Sequence, residues 1–186
     1  MAAVDPPSIP PHEPRTYRQR VQRPGLIGYR LLVRETDLHI QTVTRLASLA
    51  RELVLTQRGY LEAYIRQHPL FLKSLAPWRL DSPACAIVRD MAAAGERCGV
   101  GPMAAVAGAL AEQVGRGLRP HSREVVVENG GDVFMDLQGP AILGIFAGRS
   151  PLSMRVGLRL EGGGKPLGVC TSAGTVGHSL SRGRAD

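Results

Sequence analysis

The sequence predicts an α+β fold, in which helices cover one face of an antiparallel sheet. Apolar residues alternate with a period of two near the start, repeat every three or four residues through the middle, and alternate again toward the end. Glycine, proline and acidic residues leave hairpin-length connections between the predicted strands, and such connections join antiparallel neighbours. Strands, then helices, then strands therefore favour a two-layer α+β architecture.

The individual elements follow from the same periodicities. Alternating residues over 16–22 and 27–33 flank a break at Arg23-Pro24-Gly25, and a third strand follows over 38–42. Helical spacing and helix-start residues then predict three helices. The helices are expected over residues 44–68, 83–98 and 103–117, and the later strands over 125–127, 133–137, 141–147, 154–160 and 167–170.

Two details of the helical region bear on packing. Residues 70–80 are predicted to be an apolar connector that holds Trp78 between prolines. The third helix carries small residues on one face, which would let it lie very close to a neighbouring element or to a ligand, and packing onto the sheet is the interpretation we favour. These small residues are Ala104, Gly108, Ala111 and Gly115.

Composition narrows the domain organisation and the partners. Residues 1–15 are proline-rich and are expected to form a disordered arm, while residues 16–186 are expected to form a single domain, truncated at its C-terminus. The net charge of +7 is spread along the chain and aromatics make up only 4%, so we expect no nucleic-acid partner. Without an apolar run of roughly 20 residues, a leader or paired cysteines, we expect a cytoplasmic protein that has no membrane partner. The sequence does not decide whether the protein forms a homo-oligomer.

The stretch EVVVENGGDVFMD, residues 124–136, is the first candidate site. Two glycines at a strand end allow positive φ and leave the backbone uncovered, and the polar residues beside them would orient a small molecule. Asp132 would repel a phosphate unless a cation intervened or the carboxylate held a sugar hydroxyl, so it is a candidate ligand for Mg²⁺ or ribose. A plain hairpin turn is the alternative. The predicted binding residues are Glu128, Asn129, Gly130, Gly131 and Asp132.

The stretch CTSAGTVGHS, residues 170–179, is the second candidate site. Its uncharged hydroxyls beside glycines suit donors to phosphate oxygens or to the edge of a planar ring, although they could instead hold their own turn. His178 is the candidate catalytic acid or base. A hydrolase is disfavoured, because a nucleophile elbow needs glycine two residues before the serine, where this chain has Cys170. The predicted binding residues are Thr171, Ser172, Gly174 and Thr175.

A third motif, residues 99–104, matches G-x-G-x-x-A. The dinucleotide fingerprint requires a strand before its glycines, and a helix is predicted there instead. The helix that begins near Pro102 still offers amides to a phosphate.

Together, the two polar stretches resemble the N-x-G-G-D and T-S-G signatures of the ApbE-like superfamily. Its members are flavin transferases that bind FAD and Mg²⁺ and attach FMN to a protein threonine. GPMAAVAG, residues 101–108, is similar to the small-residue helix before the first signature, and ENGGD with CTSAGTVGHSLSRGRAD resembles a shorter branch of the superfamily. The resemblance covers residues 26–186 and is specific at these three places.

The resemblance implies a tunnelling-type fold and a flavin or similar ring near the two stretches. It departs at His178, which is followed by SLSRGRAD rather than by an Asp-Pro segment, and the family's Mg²⁺ ligands lie further downstream than Asp186. We therefore expect a flavin-nucleotide (FAD or FMN) binding protein, with Mg-dependent FMN transfer as its activity if it is an enzyme. The alternatives are a pterin- or purine-binding enzyme of the tunnelling fold, in which Glu128 grips the ring, and a non-catalytic assembly or interaction module.

Overall fold

The computed structural model describes residue 18 and residues 22–147, 150–163 and 165–170. It has the predicted α+β class, with an antiparallel sheet and helices. The strands are β1 (Ile27–Val33), β2 (Thr36–Thr42), β3 (Val125–Asn129), β4 (Asp132–Asp136), β5 (Ala141–Gly144), β6 (Gly157–Leu160) and β7 (Leu167–Val169). The helices are α1 (Ala47–Gln67), α2 (Pro69–Lys73), α3 (Ala86–Cys98) and α4 (Val106–Leu118), with 3-10 turns at Pro102–Ala105 and Arg119–His121.

Five strands form the main sheet, in the order β1-β2-β3-β4-β7, and every neighbouring pair is antiparallel. In this register Glu128 lies between His39 and Val133, whereas Asn129 lies between Leu38 and Asp132. Because side chains alternate between the two faces of a sheet, Glu128 faces one way while Asn129 and Asp132 face the other.

The helices cover one face of this sheet. The core there includes Leu38, Ile40 and Val127, which are fully buried, and Phe134, which is nearly so. Each such side chain stabilises the fold by about 1.5–3 kcal/mol relative to leaving it exposed. The main core of the protein therefore lies between the sheet and α1, α3 and α4, as the helical periodicity predicts.

The opposite face of the sheet is only partly covered. Strands β5 and β6 pair with each other as a separate two-stranded sheet, so their predicted place in a single sheet is wrong. Leu143 and Leu160 of this pair pack against Val126 and Met135 of the main sheet, which makes a second, smaller apolar cluster. A third partial layer therefore adds to the predicted two, and residues 151–155 form turns where β6 was expected to begin.

The predicted connector 70–80 is also wrong in part, because α2 begins at Pro69 and includes Phe71. Proline suits the first turn of a helix, so a new helix starts where α1 ends. The Phe71 ring is fully buried and packs edge-on against Tyr64 and Trp78. Trp78 Nε1 donates to the hydroxyl of Tyr64 at 3.1 Å, which anchors the connector on α1.

The glycines of the G-x-G-x-x-A motif have structural roles. Gly99 has φ of 68° and ends α3, and the preceding element is a helix as predicted. A Cβ atom at Gly101 would lie 1.8 Å from the carbonyl oxygen of Ser74, so only glycine fits there.

Across the described ranges, no helix is both long and apolar enough to cross a membrane.

Candidate functional site

The turn between β3 and β4 contains only Gly130 and Gly131, with φ of 65° and 105°. Two-residue hairpin loops that match the twist of a sheet need positive φ, which glycine adopts without a steric cost. Asn129 and Asp132 flank these glycines as a cross-strand pair. The hairpin geometry predicted from the sequence is confirmed.

The turn is docked on the beginning of α4. Asn129 Nδ2 donates to the carbonyl oxygen of Ala107 at 3.0 Å. A Cβ atom at Gly108 would lie 3.3 Å from Asp132 Oδ1, so the carboxylate rests directly on the helix backbone. One helical face thus has small residues because it packs onto the sheet, as predicted. Further along that face, a Cβ atom at Gly115 would come 2.1 Å from the Phe134 ring.

The carboxylate of Asp132 is half-buried, and within the described ranges it has no hydrogen bond or ion pair to another side chain. Burial raises its pKa above the ordinary value, and the negative charge of Glu128 raises it further. A carboxylate in this state is destabilising when it is ionised, and a cation or a hydroxyl donor beside it would relieve the penalty. Asp132 is therefore the residue of the turn that is best prepared to bind a ligand.

Glu128 occupies the opposite face of the sheet and is not brought together with Asn129 and Asp132. Its Oε1 accepts the backbone N–H of Gly131 at 2.9 Å, and its Oε2 accepts from Arg18 Nε at 2.6 Å. Both carboxylate oxygens are engaged, so this geometry does not favour the hypothesis in which Glu128 grips a ring edge. The Gly131 amide is engaged as well, which removes it from the predicted anion-binding backbone.

The polar cluster around Glu128 was not predicted from the sequence. Arg18 also donates to Asp37, at Oδ1 (2.9 Å) and at the backbone oxygen (2.8 Å), and Arg30 pairs with the same carboxylate. His39 is half-buried beside these groups, where burial and then the charge of Arg18 lower its pKa. Alternation of charged residues on the strands was visible, but the contact between residues 18 and 128 spans most of the domain.

The second candidate stretch is described only at its first residue. Cys170 follows β7, whose Val169 pairs with Val133, and this register brings Cys170 beside Asp132. Burial raises the pKa of the Cys170 thiol, with further contributions from Asp132 and Cys98. The other residues predicted there lie outside the described part of the chain: Thr171, Ser172, Gly174, Thr175 and His178.

An open groove of about 370 Å³ lies near the C-terminal end of α4, away from the turn, and sequence reasoning did not identify it. It is lined in part by Phe134 and by two arginines that already have carboxylate partners. Arg116 pairs with Glu112 at 2.7 Å, and Arg119 pairs with Asp136. Among the described residues, no group of three or more His, Cys, Asp or Glu side chains is arranged to hold a metal, so Asp132 is a metal candidate on its own.

Comparisons with known proteins identify the family. A family model described as AbpE bacteria matches residues 18–186. The UPF0280 protein of Methanococcus aeolicus is 36% identical over 165 residues, which cover 87% of this chain and 66% of that protein. Its counterpart in Methanocaldococcus jannaschii is 41% identical over 160 residues (84% and 65%), and that of Methanothermobacter thermautotrophicus 43% over 162 residues (84% and 60%). The chain thus spans slightly less than two thirds of the length of these relatives, and it belongs to the family described as AbpE bacteria.

Proposed function

We propose that this protein binds a flavin nucleotide, FAD or FMN, where the β3–β4 turn meets α4. The observation that carries the proposal is the half-buried carboxylate of Asp132, which lies beside a turn without side chains and has no partner among the described residues. Ionisable groups whose pKa is shifted by burial and by a nearby charge cluster at functional sites, and Asp132 is such a group. The finer fold assignment, a tunnelling-type or ApbE-like domain, belongs to the same proposal.

The chemistry of the turn leaves two ways in which a nucleotide could bind beside Asp132. Asp132 would repel a phosphate directly, and the Gly131 amide already donates to Glu128. For phosphate binding here, Asp132 would hold Mg²⁺, which would supply the positive charge that offsets the repulsion between the carboxylate and the phosphate. Alternatively, the carboxylate accepts from a ribityl or ribose hydroxyl. In either mode the negative charge of Asp132 gains a partner.

The resemblance to the flavin transferases extends the proposal to the second stretch. Thr171 and Ser172 would donate hydrogen bonds from their hydroxyls to the nucleotide, and Gly174 and Thr175 would complete this part of the binding site. His178 would act as an acid or base in flavin transfer. Cys170 supports this arrangement, because it follows β7 close to Asp132 and immediately precedes these residues in the sequence.

A fluorescence titration tests the proposal. FAD and FMN are each titrated with the full-length chain, once with Mg²⁺ and once with EDTA, and quenching of flavin emission is followed. We expect saturation at tens of micromolar or below with Mg²⁺, and at least tenfold weaker binding with EDTA if the metal bridges the phosphate. Failure of both nucleotides to saturate in either buffer would overturn the proposal and favour a non-catalytic interaction module.

A further inference from the structure

We infer that Glu128 is a positioning residue for this site: from the opposite face of the sheet, it holds the Gly131 amide and so sets the turn that carries Asp132. The ligand part of this inference rests on the proposed function. The contact itself does not, because both of its groups belong to this chain.

The side chain of Glu128 is hydrogen-bonded to the turn. Glu128 is only 9% exposed, and its Oε1 lies 2.9 Å from the backbone nitrogen of Gly131. Gly131 has φ of 105°, and glycine adopts positive and negative φ about equally readily, so no side chain of its own holds this conformation. A hydrogen bond from an amide to a charged carboxylate is stronger than one between neutral groups. Glu128 therefore selects one conformation of this turn.

The side chain of Glu128 is itself held in place by Arg18. Arg18 Nε donates to the second carboxylate oxygen at 2.6 Å, and Arg18 is itself held by two oxygens of Asp37. The side chains of both Arg18 and Glu128 are only 11% exposed. Because removal of one partner from a buried ion pair leaves an uncompensated charge, the pair resists separation. Arg18 thereby reaches the turn through Glu128, without contact to the proposed ligand surface.

The conformation of the turn determines where the side chain of Asp132 points. Gly131 immediately precedes Asp132, whose carboxylate must rest on Gly108 to face the proposed nucleotide. A change of the Gly131 backbone would redirect the next side chain, since the two residues share a peptide unit. The charge of Glu128 also contributes to the raised pKa of Asp132. Glu128 thus controls the direction of the Asp132 side chain.

The chain provides a matched control at the other end of β3. Glu124 also pairs with an arginine, Arg23, at 2.7 Å, and also accepts a backbone amide, that of Gln138, at 2.9 Å. Its side chain is similarly buried, at 13% exposure. Glu124→Ala therefore removes the same kind of interaction without touching the turn.

The test measures amide hydrogen exchange at Gly131 by NMR in the ligand-free full-length chain, followed by FAD affinity with Mg²⁺. Glu128→Ala should raise Gly131 exchange by about tenfold or more and weaken FAD binding by about tenfold, as loss of a charge-assisted hydrogen bond predicts. Glu128→Gln, which keeps an acceptor oxygen for the Gly131 amide but loses the charge and the bond from Arg18, should raise Gly131 exchange severalfold, less than Glu128→Ala does. Glu124→Ala should change neither readout.

Unchanged Gly131 exchange in Glu128→Ala would overturn the inference, as would equal weakening of FAD binding by Glu124→Ala. If Glu128→Ala does not fold, Arg18→Gln decides, because it releases the second oxygen and should still raise Gly131 exchange severalfold; unchanged exchange there would again overturn the inference. A wild-type chain that binds no flavin would refute the proposed function alone, since the exchange measurement needs no ligand.

Discussion

The carboxylate of Asp132 lies directly on the backbone of α4 at Gly108, where a Cβ atom would be 3.3 Å from Asp132 Oδ1. This contact and the bond from Asn129 to Ala107 join the β3–β4 turn to the helix. The turn and the first turns of α4 therefore form one surface, and the proposed function depends on it.

Replacement of Asp132 by asparagine should stabilise the ligand-free protein. The ionised carboxylate is half-buried without a partner among the described residues, so its removal relieves a desolvation penalty. We expect a gain of about 1 kcal/mol, or roughly 2–4 °C in Tm for a chain of this size. Differential scanning calorimetry at pH 7 checks this, with Asp90→Asn on the exposed face of α3 as the control. A lower Tm would show that Asp132 has a structural partner.

The raised pKa of Asp132 predicts that its contribution to folding stability depends on pH with the opposite sign to that of most carboxylates. The pKa of Asp132 is raised in the folded state, so between the ordinary value of 3.8 and the folded value the native protein binds more protons than the unfolded chain. The stability contribution of Asp132 is therefore lost as pH rises through its folded pKa. Urea unfolding from pH 4 to pH 7 should show the advantage of Asp132→Asn growing with pH. A constant difference would contradict the raised pKa.

Gly108→Ala should separate stability from binding. Alanine favours a helix over glycine by up to about 1 kcal/mol, and the side chain of Asp132 is able to yield the few tenths of an ångström that the new methyl needs. Unfolding stability should stay the same or rise, while flavin affinity falls because the carboxylate is displaced. Loss of stability with unchanged affinity would place the ligand elsewhere.

His39 should make the protein less stable in mild acid. Burial and Arg18 lower its pKa, so the unfolded chain takes up a proton near the ordinary value of 6.5 while the folded protein does not. Stability should therefore fall as pH drops below about 6.5 toward the folded pKa. The slope of unfolding free energy against pH between 6.5 and 5 should be shallower in His39→Gln. An identical slope in both proteins would refute this assignment.

Gly101→Ala should be strongly destabilising, because the added methyl would lie 1.8 Å from the backbone oxygen of Ser74 and the backbone must move. We expect a loss of about 1–3 kcal/mol in chemical unfolding, as for other overpacked sites. The matched control is Gly59→Ala in α1, where no atom lies within 4 Å of the new methyl and a small gain is expected. Equal effects of the two changes would mean that Gly101 is not needed for packing.

The sequence predicted those parts of the fold that depend on local patterns. Strand alternation defined β1, and the two glycines correctly indicated a hairpin between Asn129 and Asp132. Local patterns do not show which strands pair across long separations, so the separate β5–β6 sheet was missed. An apolar run gives no helix period when it is only five residues long, so α2 was read as part of a connector.

The position of the β3–β4 turn could be predicted from the sequence, but the contacts of its residues could not. Alternation along β3 places Glu128 on the opposite face from its neighbour Asn129, which follows once the strand is accepted. The partners of Glu128 could not be inferred in this way. Arg18 is 110 positions away in the chain, and only the folded sheet brings the two side chains together.

Calorimetric titration of FMN into the full-length chain with Mg²⁺, compared between wild type and Asp132→Asn, tests the central claim most directly. We expect saturable binding by the wild type and at least a tenfold loss of affinity in the variant, although the variant is the more stable protein. Equal binding by both proteins, or no binding by either, would refute a flavin site at Asp132.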